Sequence, residues 1–239
     1  MALNAKTVKN TGGKTYPPMD AGSYPARLVQ VIDLGVQPQE YLGEKKAPKR
    51  EVMTTYEFLD EFLPDDKGEP DETKPRWLSE SFPLNNLDSE LAKSTKRYYA
   101  LDPKEEQDGD WFALVGSPAS VTVVTNVGKD KVERNKIAAT SAMRPKDAAN
   151  APELVNPVKT FDMDEPDLEV FLSLPQWVQD KIKNGLEYEG SPLEGLLEAQ
   201  GGKGGQKKAP AAGKARKGAT VDDDAIPFDK PEADQGDDW

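Results

Sequence analysis

The chain has 239 residues, of which 43 are acidic and 31 basic, so its formal net charge is −12. It contains no histidine and no cysteine, which excludes disulfides, zinc fingers, histidine general bases and cysteine nucleophiles. No apolar run approaches the roughly 20 residues that span a bilayer, and the N-terminus lacks the apolar segment of a signal peptide. We therefore expect a cytoplasmic protein with no membrane contact, whose acidity taken alone argues against nucleic-acid binding.

Three strands are predicted in the first third of the chain, at residues 23–35, 52–63 and 77–82. The first is rich in branched apolar residues, and the second alternates aromatic with polar residues. Residues 36–50 are predicted to form a polar loop, because they contain two prolines and a glycine. Residues 65–74 are predicted to form an acidic turn.

A helix is predicted after the third strand, with Asn86 as its N-cap and Pro103 beyond its end. Its apolar positions recur at helical spacing, at Leu87, Leu91, Thr95 or Tyr98, and Leu101. A fourth strand is predicted from residues 111–127 with a kink at 116–118, then a turn and a fifth strand at 132–139. Later in the chain, Ser173 and Gln176 predict a capping box that begins a short helix.

The predicted order is strand, strand, strand, helix, strand, strand. This is the order of the OB-fold, a five-stranded Greek-key barrel with its helix between strands three and four. We therefore predict a mainly β protein in four parts: a flexible N-terminal arm (1–20), an OB-fold barrel (21–148), an acidic appendage with a short helix packed on the barrel (149–200), and a disordered tail (201–239). The tail prediction rests on composition, which is poor in large apolar residues.

The tail combines a basic linker with an acidic tip. Residues 201–218 carry six cations and no carboxylate, whereas residues 219–239 carry eight carboxylates and one lysine. Two acidic runs end in apolar or aromatic residues, namely Asp222, Asp223, Asp224, Ile226, Pro227 and Phe228, and then Asp237, Asp238 and Trp239. The first run resembles the acidic tip of bacterial single-stranded DNA-binding proteins, and the second resembles the ending of phage replicative proteins of that type.

The resemblance implies a phage-type protein that binds single-stranded DNA without sequence preference in replication and recombination. It also implies that the acidic tip docks replication proteins, such as a polymerase, helicase or primase, and competes with DNA for a basic groove. Stacking and charge require no metal or other cofactor and no enzymatic activity. Whether the chain is a monomer or an oligomer is open.

The candidate DNA-binding residues follow from the predicted fold. OB-folds bind strands on the face of strands two and three, between the loops that join strands one to two and four to five. Single-strand binding needs cations for phosphates and aromatic rings for bases. These requirements select Tyr41, Lys45, Lys46, Lys49 and Arg50 in the first loop, Tyr56 and Trp77 on the face, and Lys129, Lys131, Arg134 and Lys136 in the second loop.

Three other interpretations are open. An acidic DNA mimic that blocks a nucleic-acid enzyme would fit the net charge, but the basic loops interrupt the continuous negative surface that it needs. A magnesium-dependent nuclease could use the carboxylates near Asp65, with Glu72 and Lys74, or the cluster of Asp162, Asp164, Glu165 and Asp167. A passive acidic structural protein would leave the Ile226–Phe228 segment without a role.

Overall fold

The structure is a computed structural model that describes residues 16–128 and 131–201. The predicted flexible N-terminal segment up to residue 15 and the predicted tail from residue 202 lie outside the described residues. Within the described part of the chain, no helix has the length and apolar character needed to cross a membrane.

The protein is mainly β. The described part of the chain has six strands, which are β1 (Gly22–Tyr41), β2 (Glu44–Pro64), β3 (Pro70–Pro83), β4 (Pro118–Val127), β5 (Glu133–Ala142) and β6 (Lys159–Phe161). The first five are antiparallel to their neighbours in the order β3-β2-β1-β4-β5. The short β6 runs parallel to β1 and pairs with residues 30–32, just beyond Arg27, where the pairing of β1 with β4 ends.

Within residues 16–128 and 131–201, five α-helices and one 3-10 helix connect or cover the strands. The helices are α1 (Lys93–Leu101), α2 (Pro145–Ala149), α3 (Leu168–Leu172), α4 (Gln176–Lys183) and α5 (Pro192–Gly201), and the 3-10 helix covers Phe112–Leu114. Because α1 lies between β3 and β4, the predicted order of five strands and one helix is confirmed.

Two hydrophobic cores lie on opposite faces of β1 and β2. Alternate residues of these strands, for example Val31 and Val52, point into the first core. This core also contains side chains from β3, β4, β5 and α1. Their neighbours Ile32 and Met53 point into the second core, formed with β6 and the later helices. Burial on both faces explains why residues 28–34 form a nearly continuous apolar run instead of a strict alternation.

Helix α1 links the two strands at the ends of the sheet order. The guanidinium of Arg97 pairs with Glu80 on β3, with Nε 2.6 Å from Oε1, and its Nη2 donates to the carbonyl of Ala138 on β5 at 3.3 Å. Lys93 Nζ lies 3.2 Å from the same carboxylate. Both Arg97 and Glu80 are buried. The ion pair therefore holds the helix against β3, and the hydrogen bond to Ala138 holds it against β5.

The predicted polar loop at residues 36–50 is wrong, because residues 36–41 and 44–50 belong to paired strands and only residues 42–43 form a turn. Gln37 lies opposite Lys49, and Glu40 lies opposite Lys45, so β1 and β2 extend beyond the cores as a two-stranded ribbon. We call this exposed ribbon (residues 36–50) the arm. Backbone pairing satisfies its peptide groups despite the polar side chains, which a search for apolar alternation could not detect.

Two predicted helix and strand boundaries are also wrong. Asn86 does not cap the helix: its Oδ1 accepts from the amide of Asp88 at 3.1 Å in a local turn, and α1 begins only at Lys93, after Ala92. The segment before β4 is not a strand, since Asp110 Oδ1 accepts from the amide of Phe112 at 2.8 Å and starts the 3-10 helix. In both places an Asx side chain stabilises a turn locally.

The appendage is a larger structural part than predicted, because it completes the second core. The predicted short helix is present as α4, and Val178 and Ile182 are buried, but the predicted capping box is absent. Ser173 Oγ instead donates to the carbonyl of Val170 at 2.7 Å. The end of the predicted flexible N-terminal segment, residues 16–20, is held to the sheet. Met19 is buried and exchanges two hydrogen bonds with Asn135 of β5.

Candidate nucleic-acid interface

The arm presents three exposed lysines that were predicted to bind DNA from the first loop. Lys45, Lys46 and Lys49 all lie on its β2 strand and are exposed to solvent. Lys46 Nζ lies 3.1 Å from Glu44, and Lys49 Nζ donates to Asn85 Oδ1 at 2.8 Å. Such exposed pairs are weak, so phosphate groups can replace these partners at little cost. The backbone of Tyr41 pairs with Glu44 at the end of the arm.

Arg50 is not available for DNA in the way that the sequence suggested. Its guanidinium lies within 3.2–3.3 Å of carboxylate oxygens of Asp33, Asp164 and Glu187. Partial burial of Arg50 opposes its charge, but the hydrogen bonds and charges of these carboxylates outweigh burial and raise its pKa. The structure thus places Arg50 at the base of the arm in contact with three carboxylates, whereas the sequence suggested a cation without such partners.

The appendage fixes the base of the arm. The amide of Leu186 donates to the carbonyl of Val36 at 2.8 Å, and Lys181 Nζ lies 2.6 Å from Glu51. The side-chain amide of Gln37 is buried and donates to the carbonyls of Leu34 and Lys181. These contacts join residues 181–187 to both strands of the arm, so its direction relative to the sheet is set by the appendage.

Tyr56 is wrongly predicted as a stacking residue. Its side chain is fully buried in the first core, where no base could reach the ring. Burial raises the pKa of its hydroxyl, and the nearby carboxylate of Glu80 raises it further. Tyr56 points into the first core, whereas its neighbour Glu57 points to the opposite face of the sheet. Trp77 lies opposite Glu57 on β3 and so faces the same way as Glu57.

Trp77 lies on the face of β3 that points away from the first core, which we call the outer face, as predicted. Its side chain is half-buried. Its indole Nε1 donates to Glu57 Oε2 at 3.1 Å. Glu57 also accepts from the amides of Val155 and Asn156, so residues of the appendage cross the outer face beside the tryptophan. Arg27 holds the same crossing segment by donating to the carbonyls of Ala151 and Pro152. The appendage therefore covers part of the face that the sequence assigned to DNA.

The second basic cluster lies at the other end of β1. Lys131, Arg134 and Lys136 belong to the β4–β5 hairpin, and Lys129 lies outside the described residues. Because Gly22 at the start of β1 pairs with Val123, this hairpin extends beyond the beginning of β1, whereas the arm extends from its end. The two clusters are therefore separated along β1 and flank the outer face, and they do not lie side by side.

Several of the carboxylates considered for a nuclease have hydrogen-bond or ion-pair partners. Asp65 Oδ1 accepts from the amides of Lys67 and Glu69 in the β2–β3 turn, and Asp167 caps α3. Asp164 pairs with Arg50, as described above. Over residues 16–128 and 131–201, no group of three or more carboxylates is arranged to hold a metal ion.

Two features of this region were not predicted from the sequence. One is the acidic contact set of Arg50, whose members are far apart in the chain and could not be associated by spacing. The other is Leu42 at the tip of the arm, which is 84% exposed. The Leu42-Gly43 pair between polar residues is a weak hairpin signal that was available in the sequence.

Comparison with known proteins adds no relative. The chain matches no protein-family model, and it has no match among curated proteins or solved structures. The predicted docking residues of the tail, Asp222 to Asp224, Ile226 to Phe228 and Asp237 to Trp239, lie outside the described residues.

Proposed function

We propose that this protein is a single-stranded DNA-binding protein with an OB-fold-type barrel, which binds strands without sequence preference during DNA replication or recombination. The observation that carries the proposal is the arm, which presents Lys45, Lys46 and Lys49 to solvent on a protein of net charge −12. A strand order of β3-β2-β1-β4-β5 with a helix after β3 supports the OB-fold assignment.

The net charge of −12 does not oppose this function. Charges are screened beyond roughly 8 Å at physiological salt, so a phosphate responds mainly to the groups beside it. The arm contains four cations and two carboxylates, and one of the cations, Arg50, is already paired with Asp33 of β1 and with Asp164 and Glu187 of the appendage. The arm supplies the cations, and Trp77, which is half-buried on the outer face, would be the ring for stacking.

The acidic tip of residues 219–239 would serve partners and regulation. Its charge is opposite to that of the arm and of the basic linker. In the absence of DNA it would occupy the cationic surface, and DNA would displace it when the protein binds a strand. When the protein is bound to DNA, the tip would be exposed for docking replication proteins.

A titration of fluorescent poly-dT with the full chain at two salt concentrations tests the proposal. We expect binding that weakens steeply with salt. Replacing Lys45, Lys46 and Lys49 by glutamate should weaken binding at least about tenfold and reduce the salt slope by about 2, since each single-strand phosphate contact contributes about 0.7. The matched control replaces the exposed lysines Lys96, Lys104 and Lys146 by glutamate, which changes the net charge equally.

The outcomes separate the proposal from its alternatives. If the wild type does not bind poly-dT even at low salt, the function is wrong. If the arm and control variants lose affinity equally, net charge and not the arm governs binding. Deleting residues 219–239 should tighten binding most at low salt, and unchanged affinity would exclude competition by the tip.

A further inference from the structure

We propose that Leu42, at the tip of the arm, is an apolar wedge that inserts between neighbouring bases of the bound strand and unstacks them. This inference rests on the proposed function, because it assumes that nucleic acid reaches the arm. It assigns the arm a second role besides phosphate contact, and it places that role on one side chain.

The backbone at the tip gives the first observation. Leu42 and Gly43 have φ values of +51° and +81°, which is the pattern of a type I′ hairpin turn. Asparagine, aspartate and glycine are the residues that favour this turn, and an L-residue with a large side chain is strained there. Among the described residues, four residues other than glycine have a positive φ, namely Leu42, Glu105, Asp108 and Lys131. Of these four, only Leu42 is apolar.

The second observation is the exposure of the side chain. Leu42 is 84% exposed, and its neighbours 43–49 in the arm are exposed as well, so the leucine contributes nothing to either core. A single exposed leucine is ordinary, and Leu91 at 75% exposure is one example. Leu42 differs because the fold bears backbone strain to keep an apolar residue at the outermost point of the arm. The position therefore fits a contact that exists only when a partner is bound.

The surroundings identify the class of partner. Glu44, Lys45 and Lys46 follow the tip on the same strand and are exposed, and the pair of Glu44 with Lys46 at 3.1 Å is weak enough for a phosphate to replace it. One leucine is too small to anchor a protein interface, which needs a cluster of buried apolar groups. It is large enough to enter the space between two bases while the adjacent lysines contact the flanking phosphates, as apolar wedges do in other nucleic-acid complexes. The contacts between the arm base and residues 181–187 would hold the tip while the bases separate.

The test uses the full chain and a dA-rich oligonucleotide with one central 2-aminopurine, whose fluorescence rises when it is unstacked. At saturating protein, the wild type should raise the fluorescence. Leu42→Asn, which favours the turn, should lose most of that rise, bind about three- to tenfold more weakly because partial burial of one leucine is lost, and keep the salt slope. Its melting temperature should equal or exceed that of the wild type, which separates lost contact from lost structure.

Two further variants complete the design. Leu91→Asn removes a comparably exposed leucine that is not part of the arm, 75% against 84%, and should behave as the wild type. Leu42→Met keeps an apolar side chain at the tip and should preserve the fluorescence rise. The wedge is overturned if Leu42→Asn raises the fluorescence as the wild type does, if Leu42→Met fails as Leu42→Asn does, or if Leu42→Asn changes only the oligomeric state. Failure of the wild type to bind any oligonucleotide would instead overturn the proposed function.

Discussion

The buried pair of Glu80 and Arg97 allows a quantitative prediction about stability. Arg97→Met keeps most of the side-chain volume but leaves the carboxylate of Glu80, only 6% exposed, with Lys93 as its remaining charged partner. Breaking a buried pair on one side costs about 3–5 kcal/mol. Since Lys93 compensates part of the charge, we expect about 3 kcal/mol. For a folded part of this size that is a fall of about 6–12 °C in melting temperature, measurable by calorimetry.

Two comparisons make the reasoning refutable. Arg144→Met removes an ion pair of the same length, 2.6 Å to Asp147, but its side chain is 85% exposed, so little change is expected. A double variant, Glu80→Leu with Arg97→Met, removes both charges and should recover most of the stability, because apolar replacement of a whole buried pair is often neutral. If Arg97→Met melts like the wild type, or if the double variant is less stable than Arg97→Met, the pair does not hold α1 as we infer.

Two further predictions concern hydrogen-bonded carboxylates. Burial opposes the charge of Asp102, but the amides of Glu106 and Gln107 donate to it and lower the pKa of this carboxyl. Asp102→Asn should therefore lose about 1 kcal/mol at neutral pH. Thermal melts should show this difference fading as the pH falls through the lowered pKa, because a carboxyl with a lowered folded-state pKa stabilises the fold only while it is charged; a difference independent of pH would contradict this. Glu57→Gln should loosen the segment that crosses the outer face and increase acrylamide quenching of Trp77, assigned by comparison with Trp77→Phe; unchanged quenching would mean that Glu57 does not hold that segment.

Local signals in the sequence determined the order of the elements. Branched apolar runs, turn residues and the position of the helix predicted five strands with α1 after β3, and the structure has this order. The same signals predicted the lysines of the arm as a cationic cluster, since charge along the chain needs no folding to be counted. Boundaries failed where one Asx side chain decided the conformation, as at Asn86 and Asp110, because such turns compete with helix and strand at nearly equal energy.

Only the tertiary structure decided which of the candidate residues face solvent. Tyr56 and Trp77 look alike as aromatics on neighbouring strands, yet the register of β2 and β3 buries one and leaves the other half-exposed. Arg50 looks like its lysine neighbours, but Asp33, Asp164 and Glu187 reach it from distant parts of the chain. Side-chain direction and long-range charge pairing depend on how strands and appendage pack together, and no local pattern of residues contains that information.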